Sequence, residues 1–305
     1  MNAHPTRLGD LWLRFRRHGF AVASLFLLIA LALLSFLSPL IADLRGIDPN
    51  QADLLSRLEP PSARHWLGTD DLGRDLFLRL LEGGRVSLLV GIAAALIAAV
   101  AGSAIGVVAG YVGGRLDAVL MRLTDAVIAL PVLPLLILLS AVDLTKLGIP
   151  QELARSPAIS LYQIVVIVSL FGWTTVARLV RGMTLSLKTR DYVRAARALG
   201  ASPLRIMARH ILPNALSPVV VATTMSVGNI ILFESVLSFL GLGVQAPLAS
   251  WGNMLTNAQE LIWSSPMLAI WPGLLIFVTV VAFNFVGDGL QDALDPRAVD
   301  RRATA

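Results

Sequence analysis

The 305-residue chain has no cysteine, which excludes disulfide bonds, thiolate nucleophiles and cysteine-ligated metals. Histidine is nearly as scarce. His4, His18, His65 and His210 stand far apart, and none has the paired spacing of a zinc site. No GxxxxGKS/T motif occurs. Gly68 and Gly73 have the glycine spacing of a phosphate loop, but Arg74-Asp75 follow where Lys and Ser/Thr are needed. Charge is thin as well: 15% of residues against about a quarter in soluble proteins. No catalytic residue, cofactor or metal is therefore expected, and no phosphate loop for a nucleotide is found in this chain.

What is abundant is apolar surface, with 56% hydrophobic residues, and a bilayer is its natural counterpart. Six apolar runs have spanning length: roughly Phe20–Ala42, Val86–Val112, Ala118–Val142, Leu161–Ala177, Ala215–Leu242 and Met267–Val286. The fourth is the shortest. A backbone in lipid must satisfy its own hydrogen bonds, so these runs predict helices and an all-α polytopic membrane protein. The alternating pattern of a membrane β-barrel is absent. Arg14, Arg16 and Arg17 before the first run fit a signal peptide, but that run exceeds the usual apolar core and carries Pro39. It reads as a retained anchor.

Orientation follows from where the arginines fall. With the N-terminus in the cytoplasm, inner segments hold Arg7, Arg14, Arg16, Arg17 and Arg115. The loop after span four adds Arg178, Arg181, Lys188, Arg190, Arg194, Arg197, Arg205 and Arg209, and the tail adds Arg297, Arg301 and Arg302. The outer short loops hold only Lys146 and Arg155. Six spans with both termini inside is the economical solution. This clustering at span ends also argues against nucleic acid as a partner. Three segments are expected: 1–85 with the first span and an extracytoplasmic stretch, a core of 86–290, and a cytoplasmic tail of 291–305.

Gly102, Gly106 and Gly110 put small residues on one face of span two. Such a face lets helices approach closely, within one subunit or at an interface or pore. Pro131 and Pro134 predict a kink in span three. Asp70, Asp71 and Asp75 have the chemistry of a hard-cation site, but Arg74 and Arg79 favour a salt-bridge cluster. Asp125, Asn229, Glu234 and Asn284 are polar groups in or near the spans. Asp125 is expected to pair with Arg122, and Glu234 to sit at the outer interface.

The most distinctive stretch is 191–213, DYVRAARALGASPLRIMARHILP, a basic island in an apolar chain. Asp191 is expected to cap a short helix running through Ala195 and Ala196 to Leu199. Gly200 suits the left-handed position that ends it. Ser202 is placed to cap a second helix and Pro203 to occupy its first position. That helix is expected to end near Leu212, with Pro213 marking the return to span five. Arg205 and Arg209 share a face. The plain reading is a helical positive-inside loop at the membrane surface.

This island resembles the EAA loop of ABC-importer permeases. Ala195-Ala196, Gly200 and Leu212-Pro213 fall at that pattern's spacing, while Arg194 stands in place of Glu and His210 in place of Ile. The variant is similar to that of the peptide-transport branch. His65–Gly91, Glu234–Gly243 and Phe283–Arg297 resemble segments of the C-type permeases in dipeptide, oligopeptide and nickel systems.

The resemblance implies a type I importer permease in the bacterial inner membrane, moving peptides or similar small solutes by alternating access. It implies as partners a B-type permease, two ABC ATPase subunits or domains, and an extracytoplasmic solute-binding protein. The coupling helix carries over to Asp191, Tyr192, Arg194, Ala195, Ala196, Gly200, Ala201, Ser202, Pro203 and Arg205. Substrate-contacting residues are not assigned. Nickel chelate, glutathione or antimicrobial peptide remain open as substrates within the class. An ion-coupled secondary transporter is the rival outside it, and it lacks the expected internal repeat.

Overall fold

The computed structural model describes residues 8–154, 156–256 and 258–294. The tail arginines at 297, 301 and 302, together with Arg7 and Arg155, lie outside the described residues. Thirteen α-helices occur in order among the described residues: α1 (Leu8–Phe15), α2 (Gly19–Phe36), α3 (Ser38–Arg45), α4 (Leu76–Val112), α5 (Gly114–Ala129), α6 (Val132–Ser140), α7 (Gln151–Ala154), α8 (Pro157–Leu187), α9 (Asp191–Ala198), α10 (Pro203–Ile206), α11 (Leu212–Phe239), α12 (Ala258–Leu261) and α13 (Met267–Leu294). No strand is present among the described residues; Thr69 and Asp75 form one isolated bridge. The chain is all-α, as expected.

Five helical stretches are long and apolar enough to cross a membrane, and α5 with α6 make a sixth if that pair is one span. The pair is bent by 86°. The expected kink in span three is thus a full break. Pro131 has no N–H to donate, its φ is −68°, and Leu130 before it is extended at ψ 140°, as a residue preceding proline prefers. Span one also ends earlier than its apolar run, because the chain turns at Leu37 and restarts as α3 with Pro39 in its first turn. Span four proves long: α8 covers 31 residues, since polar residues after Ala177 continue the same helix.

The centre of the bundle is the α4–α8 contact. Gly102, Gly106 and Gly110 all face α8. A Cβ at Gly106 would stand 2.5 Å from the Ala177 carbonyl oxygen and 2.9 Å from Val180 Cβ; one at Gly110 would meet Thr184 Cβ at 2.6 Å. The small-residue face therefore serves packing within this chain, where backbones approach and dispersion contacts accumulate without a hydrophobic drive. α11 lies across α4, with Ile231 filling the space left by Gly91. α13 packs on α11, and α2 is peripheral, seated on α13 through Ala21, Leu28, Ala282 and Val286. Large apolar side chains such as Phe26, Leu33, Leu96 and Val100 face outward, which suits lipid.

The segment between α3 and α4 is held by polar contacts. Asp75 caps α4 by accepting the Leu78 N–H at 2.8 Å. Asp70 accepts the Arg74 Nε–H at 2.7 Å and lies 3.5 Å from the Arg79 guanidinium. His65 Nδ1 and Arg45 both reach Asp75, and Arg45 stacks 4.2 Å from the Trp66 ring centroid. These carboxylates are engaged by cationic neighbours, which is the salt-bridge reading.

Two expectations for polar groups in or near the spans change. Glu234 is fully buried rather than interfacial; it accepts from the Ser87 hydroxyl at 3.0 Å and the Ser238 hydroxyl at 2.7 Å. Asp125 pairs with Arg178 of α8 at 2.5 Å, not with Arg122. The i−3 neighbour was the nearest choice in sequence, but the close approach of α5 to α8 brings a cation from another helix. A second pair, Arg181 with Asp117, is bidentate at 2.6 and 2.7 Å. Asn284 donates to the Val280 carbonyl within its own helix at 2.9 Å.

Candidate functional site

The basic island forms a hairpin at the end of the bundle where α8 stops and α11 begins. Thr184 and Lys188 end α8, and the Lys188 ammonium donates at 2.7 Å to the Gly110 carbonyl near the C-terminus of α4. A cation there complements the carbonyl end of the helix dipole. Arg190 is the residue before α9 and has extended backbone; Asp191 is the first helical residue and makes no side-chain cap bond. The expected Asp191 cap is therefore shifted by one residue. Asp191 still places a negative charge in the first turn, where the dipole favours it.

The end of α9 matches expectation in detail. Gly200 has φ +80°, its N–H donates to the Arg197 carbonyl at 3.0 Å, and the Ala201 N–H donates to the Ala196 carbonyl at 3.0 Å. This is the paired-bond termination in which a glycine adopts the left-handed conformation without a Cβ penalty. Ser202 caps α10 by accepting the Arg205 N–H at 3.4 Å, and Pro203 sits in the first turn.

The second helix does not stop at Leu212. It passes through a π turn, Met207–Ile211, straight into α11. Proline cannot donate a hydrogen bond and its ring crowds the carbonyl four residues back, here Arg209. A wide turn just before Pro213 relieves both problems. Asn214 also reaches back, donating to the His210 carbonyl at 2.7 Å. Pro213 therefore marks a change in helix winding, and the hairpin's second arm is rigidly continuous with a spanning helix.

The hairpin is anchored on one side and open on the other. Val193, Ile206, Met207 and Ile211 are buried with Val107, Val176, Val180 and Val219 of the spanning helices. Tyr192 faces His210 at 6.4 Å between ring centroids, and Arg197 lies 5.6 Å from the Tyr111 ring. Asp191, Arg194, Ala195, Gly200, Ser202, Pro203 and Arg205 are exposed, Tyr192 is half-exposed, and Ala196 and Ala201 are partly covered. Two residues overlooked in the sequence dominate the open side: Leu199 is 88% exposed and Leu204 75% exposed. They flank the Gly200 joint, with Arg194, Arg197, Arg205 and Arg209 nearby in the chain. Leucines on both sides of a glycine in a polar stretch were the available signal. An apolar pair within a basic surface suits a partner offering an apolar cleft with an acidic rim.

Residues 102–300 match the family model described as binding-protein-dependent transport system inner membrane component, and residues 6–61 match the N-terminal TM domain of oligopeptide transport permease C. The chain is 44% identical over 284 residues to the oligopeptide transport system permease protein OppC of Escherichia coli, covering 93% of this chain and 89% of that one. It is 39% identical over 288 residues to OppC of Bacillus subtilis, covering 94% and 89%. It is 41% identical over 292 residues to the glutathione transport system permease protein GsiD of Pectobacterium atrosepticum, covering 94% and 90%. In fold it matches a chain of the MetNI methionine ABC transporter in an inward-facing conformation, with TM-score 0.56 and 18% identity, over 71% of this chain and 97% of that one. The spanning helices and these matches make it a multi-pass inner-membrane protein, and the chain belongs to the family of binding-protein-dependent transport system inner membrane components.

Proposed function

We propose that this permease imports peptides or similar small solutes by alternating access, driven by ATP hydrolysis in partner subunits. The observation that carries this is the hairpin 191–205. It is a stiff, exposed, basic element whose second arm continues unbroken into a spanning helix. A load applied at Leu199 and Leu204 passes to α11 through the buried Val193, Ile206 and Ile211 without a flexible joint. A motor seated on the hairpin therefore tilts α11 and whatever packs on it. Asp191, Tyr192, Arg194, Ala195, Ala196, Gly200, Ala201, Ser202, Pro203 and Arg205 are the residues assigned to that contact.

The partners in this reading are two ABC ATPase subunits or domains, a second B-type permease and an extracytoplasmic solute-binding protein. The hairpin end and both termini face the cytoplasm, consistent with the arginine distribution. The solutes named for relatives, oligopeptide, dipeptide and glutathione, are all peptides or peptide-like, which supports that substrate class. The test is reconstitution in proteoliposomes with the cognate ATPase, second permease and binding protein. Peptide uptake that requires ATP and the binding protein supports the reading. Uptake driven by an ion gradient without ATP overturns it.

A further inference from the structure

The break in span three opens a cavity of about 260 Å³ between α5, α6, α8 and α11. Its walls include Val132, Phe171 and Phe233, with Thr175, Ser226 and Asn229 as polar groups. Thr175 and Asn229 are exposed. One helical turn toward the hairpin end on α8 stands Arg178, and one turn toward that end on α5 stands Asp125. These two form the 2.5 Å ion pair, yet their side chains are 49% and 56% exposed.

Depth makes that exposure informative. Arg178 lies nine residues from the Leu187 end of α8, or about 14 Å along the axis at about 1.5 Å per residue. The 31-residue helix is about 46 Å long, so it overhangs a hydrocarbon core of about 30 Å by about 8 Å at each end if centred. Arg178 then sits about 6 Å inside the apolar layer. A lone arginine can extend to the interface, but the short Asp125 side chain cannot. A charged pair with half its surface uncovered at that depth is costly in lipid and is stable against water or protein. On α4, by contrast, the outward residues Leu89, Ile92, Leu96 and Val100 are all apolar, as a lipid face requires.

We propose that the exposed Asp125–Arg178 pair, with Thr175 and Asn229 above it, lines the water-filled path of the solute, and that the pair opens to receive the opposite charges of a zwitterionic peptide. This rests on the peptide-import reading. The chemistry is reciprocal: the Arg178 guanidinium takes a carboxylate in two parallel hydrogen bonds, and Asp125 takes an ammonium group. A preformed pair keeps both charges satisfied when the path is empty. The partnership between α5 and α8 persists meanwhile through the Arg181–Asp117 pair nearer the hairpin.

The absence of cysteine makes the test direct, because each introduced thiol is the only one in this chain. In the full complex, Thr175→Cys and Asn229→Cys are treated with a charged, membrane-impermeant thiol reagent, and Val100→Cys serves as the lipid-face reference. The expected result is modification of both path positions and slower modification when a peptide is supplied with the binding protein. Thiols at 175 and 229 as unreactive as that at 100 overturn the proposal and assign this face to lipid or a second permease. The second arm is the charge exchange Asp125→Arg with Arg178→Asp. It restores an ion pair, so a merely structural pair predicts recovered uptake. The path role predicts that uptake of a dipeptide stays down about tenfold or more, the scale of one charge-assisted contact, while ATP hydrolysis persists. Full recovery contradicts it. Modification of the two thiols without added peptide requires neither ATP nor transport, so this inference and the import reading fail separately.

Discussion

Ser87 on α4 and Glu234 on α11 meet at 3.0 Å with neither side chain exposed to solvent. The Ser87 hydroxyl oxygen also accepts the Trp251 N–H at 3.2 Å, and the Trp251 indole donates to the Leu80 carbonyl at 2.9 Å. Gly83 and Gly84 leave the room that Trp251 occupies; a Cβ at Gly84 would come within 2.8 Å of its ring. The node fastens the loop after α11 to the start of the central helix. Asn253 tightens the same loop, donating to the Leu248 carbonyl at 2.8 Å and the Val244 carbonyl at 3.1 Å.

Replacing Glu234 by Ala removes the acceptor for two buried hydroxyls. Each unsatisfied buried group costs about 1–3 kcal/mol, so the purified protein should lose about 2–6 kcal/mol of stability. Thermal unfolding in detergent measures this. Glu234→Gln keeps an acceptor oxygen but adds an N–H₂ group, and should fall between Ala and the parent. Equal stability of all three would mean that the node contributes nothing.

The α4–α8 seam should not tolerate even one added methyl group. Gly106→Ala places a Cβ 2.5 Å from the Ala177 carbonyl oxygen, and separating the helices should cost about 1–3 kcal/mol. Gly182→Ala, where nothing lies within 4 Å, is the comparison and should be neutral or slightly stabilising by about 1 kcal/mol or less. Fluorescence-detected size exclusion after heating distinguishes the two.

Gly200→Val should damage coupling rather than membrane insertion. A β-branched residue at φ +80° is strained by about 1–2 kcal/mol, enough to redirect Leu199 relative to Leu204. Expression and membrane insertion should match the parent, while peptide uptake per ATP hydrolysed falls. Wild-type coupling in this variant removes Gly200 from the assigned joint.

Topology is testable with two thiols. Leu199 at the hairpin and Leu55 between α3 and α4 are 88% and 97% exposed. Leu199→Cys should react only from the cytoplasmic side and Leu55→Cys only from the opposite side. The reverse pattern overturns the orientation.

Much of this was legible in the sequence because the bilayer restricts the choices. Apolar length gave the spanning helices, and Gly200, Ser202 and Pro203 act locally, so their roles follow from their own chemistry. The departures share a cause. Asp125 and Glu234 are defined by partners on other helices, and spacing along one helix cannot reveal Arg178 or Ser87. The π turn before Pro213 resolves a conflict between a proline and a helix that tertiary packing keeps continuous. Leu199 and Leu204 flank a glycine in a polar stretch, but that they face outward is settled only by the burial of the neighbouring Val193 and Ile206.

The most direct measurement is site-specific cross-linking in the assembled transporter while it hydrolyses ATP. Photoreactive side chains are placed at Leu199, at Leu204 and, for comparison, at Leu55. Adducts between the ATPase subunit and the first two positions, with none at Leu55, are the predicted result. An active complex in which Leu199 and Leu204 give no adduct with the ATPase contradicts the assignment of the hairpin as the contact through which the motor drives this permease.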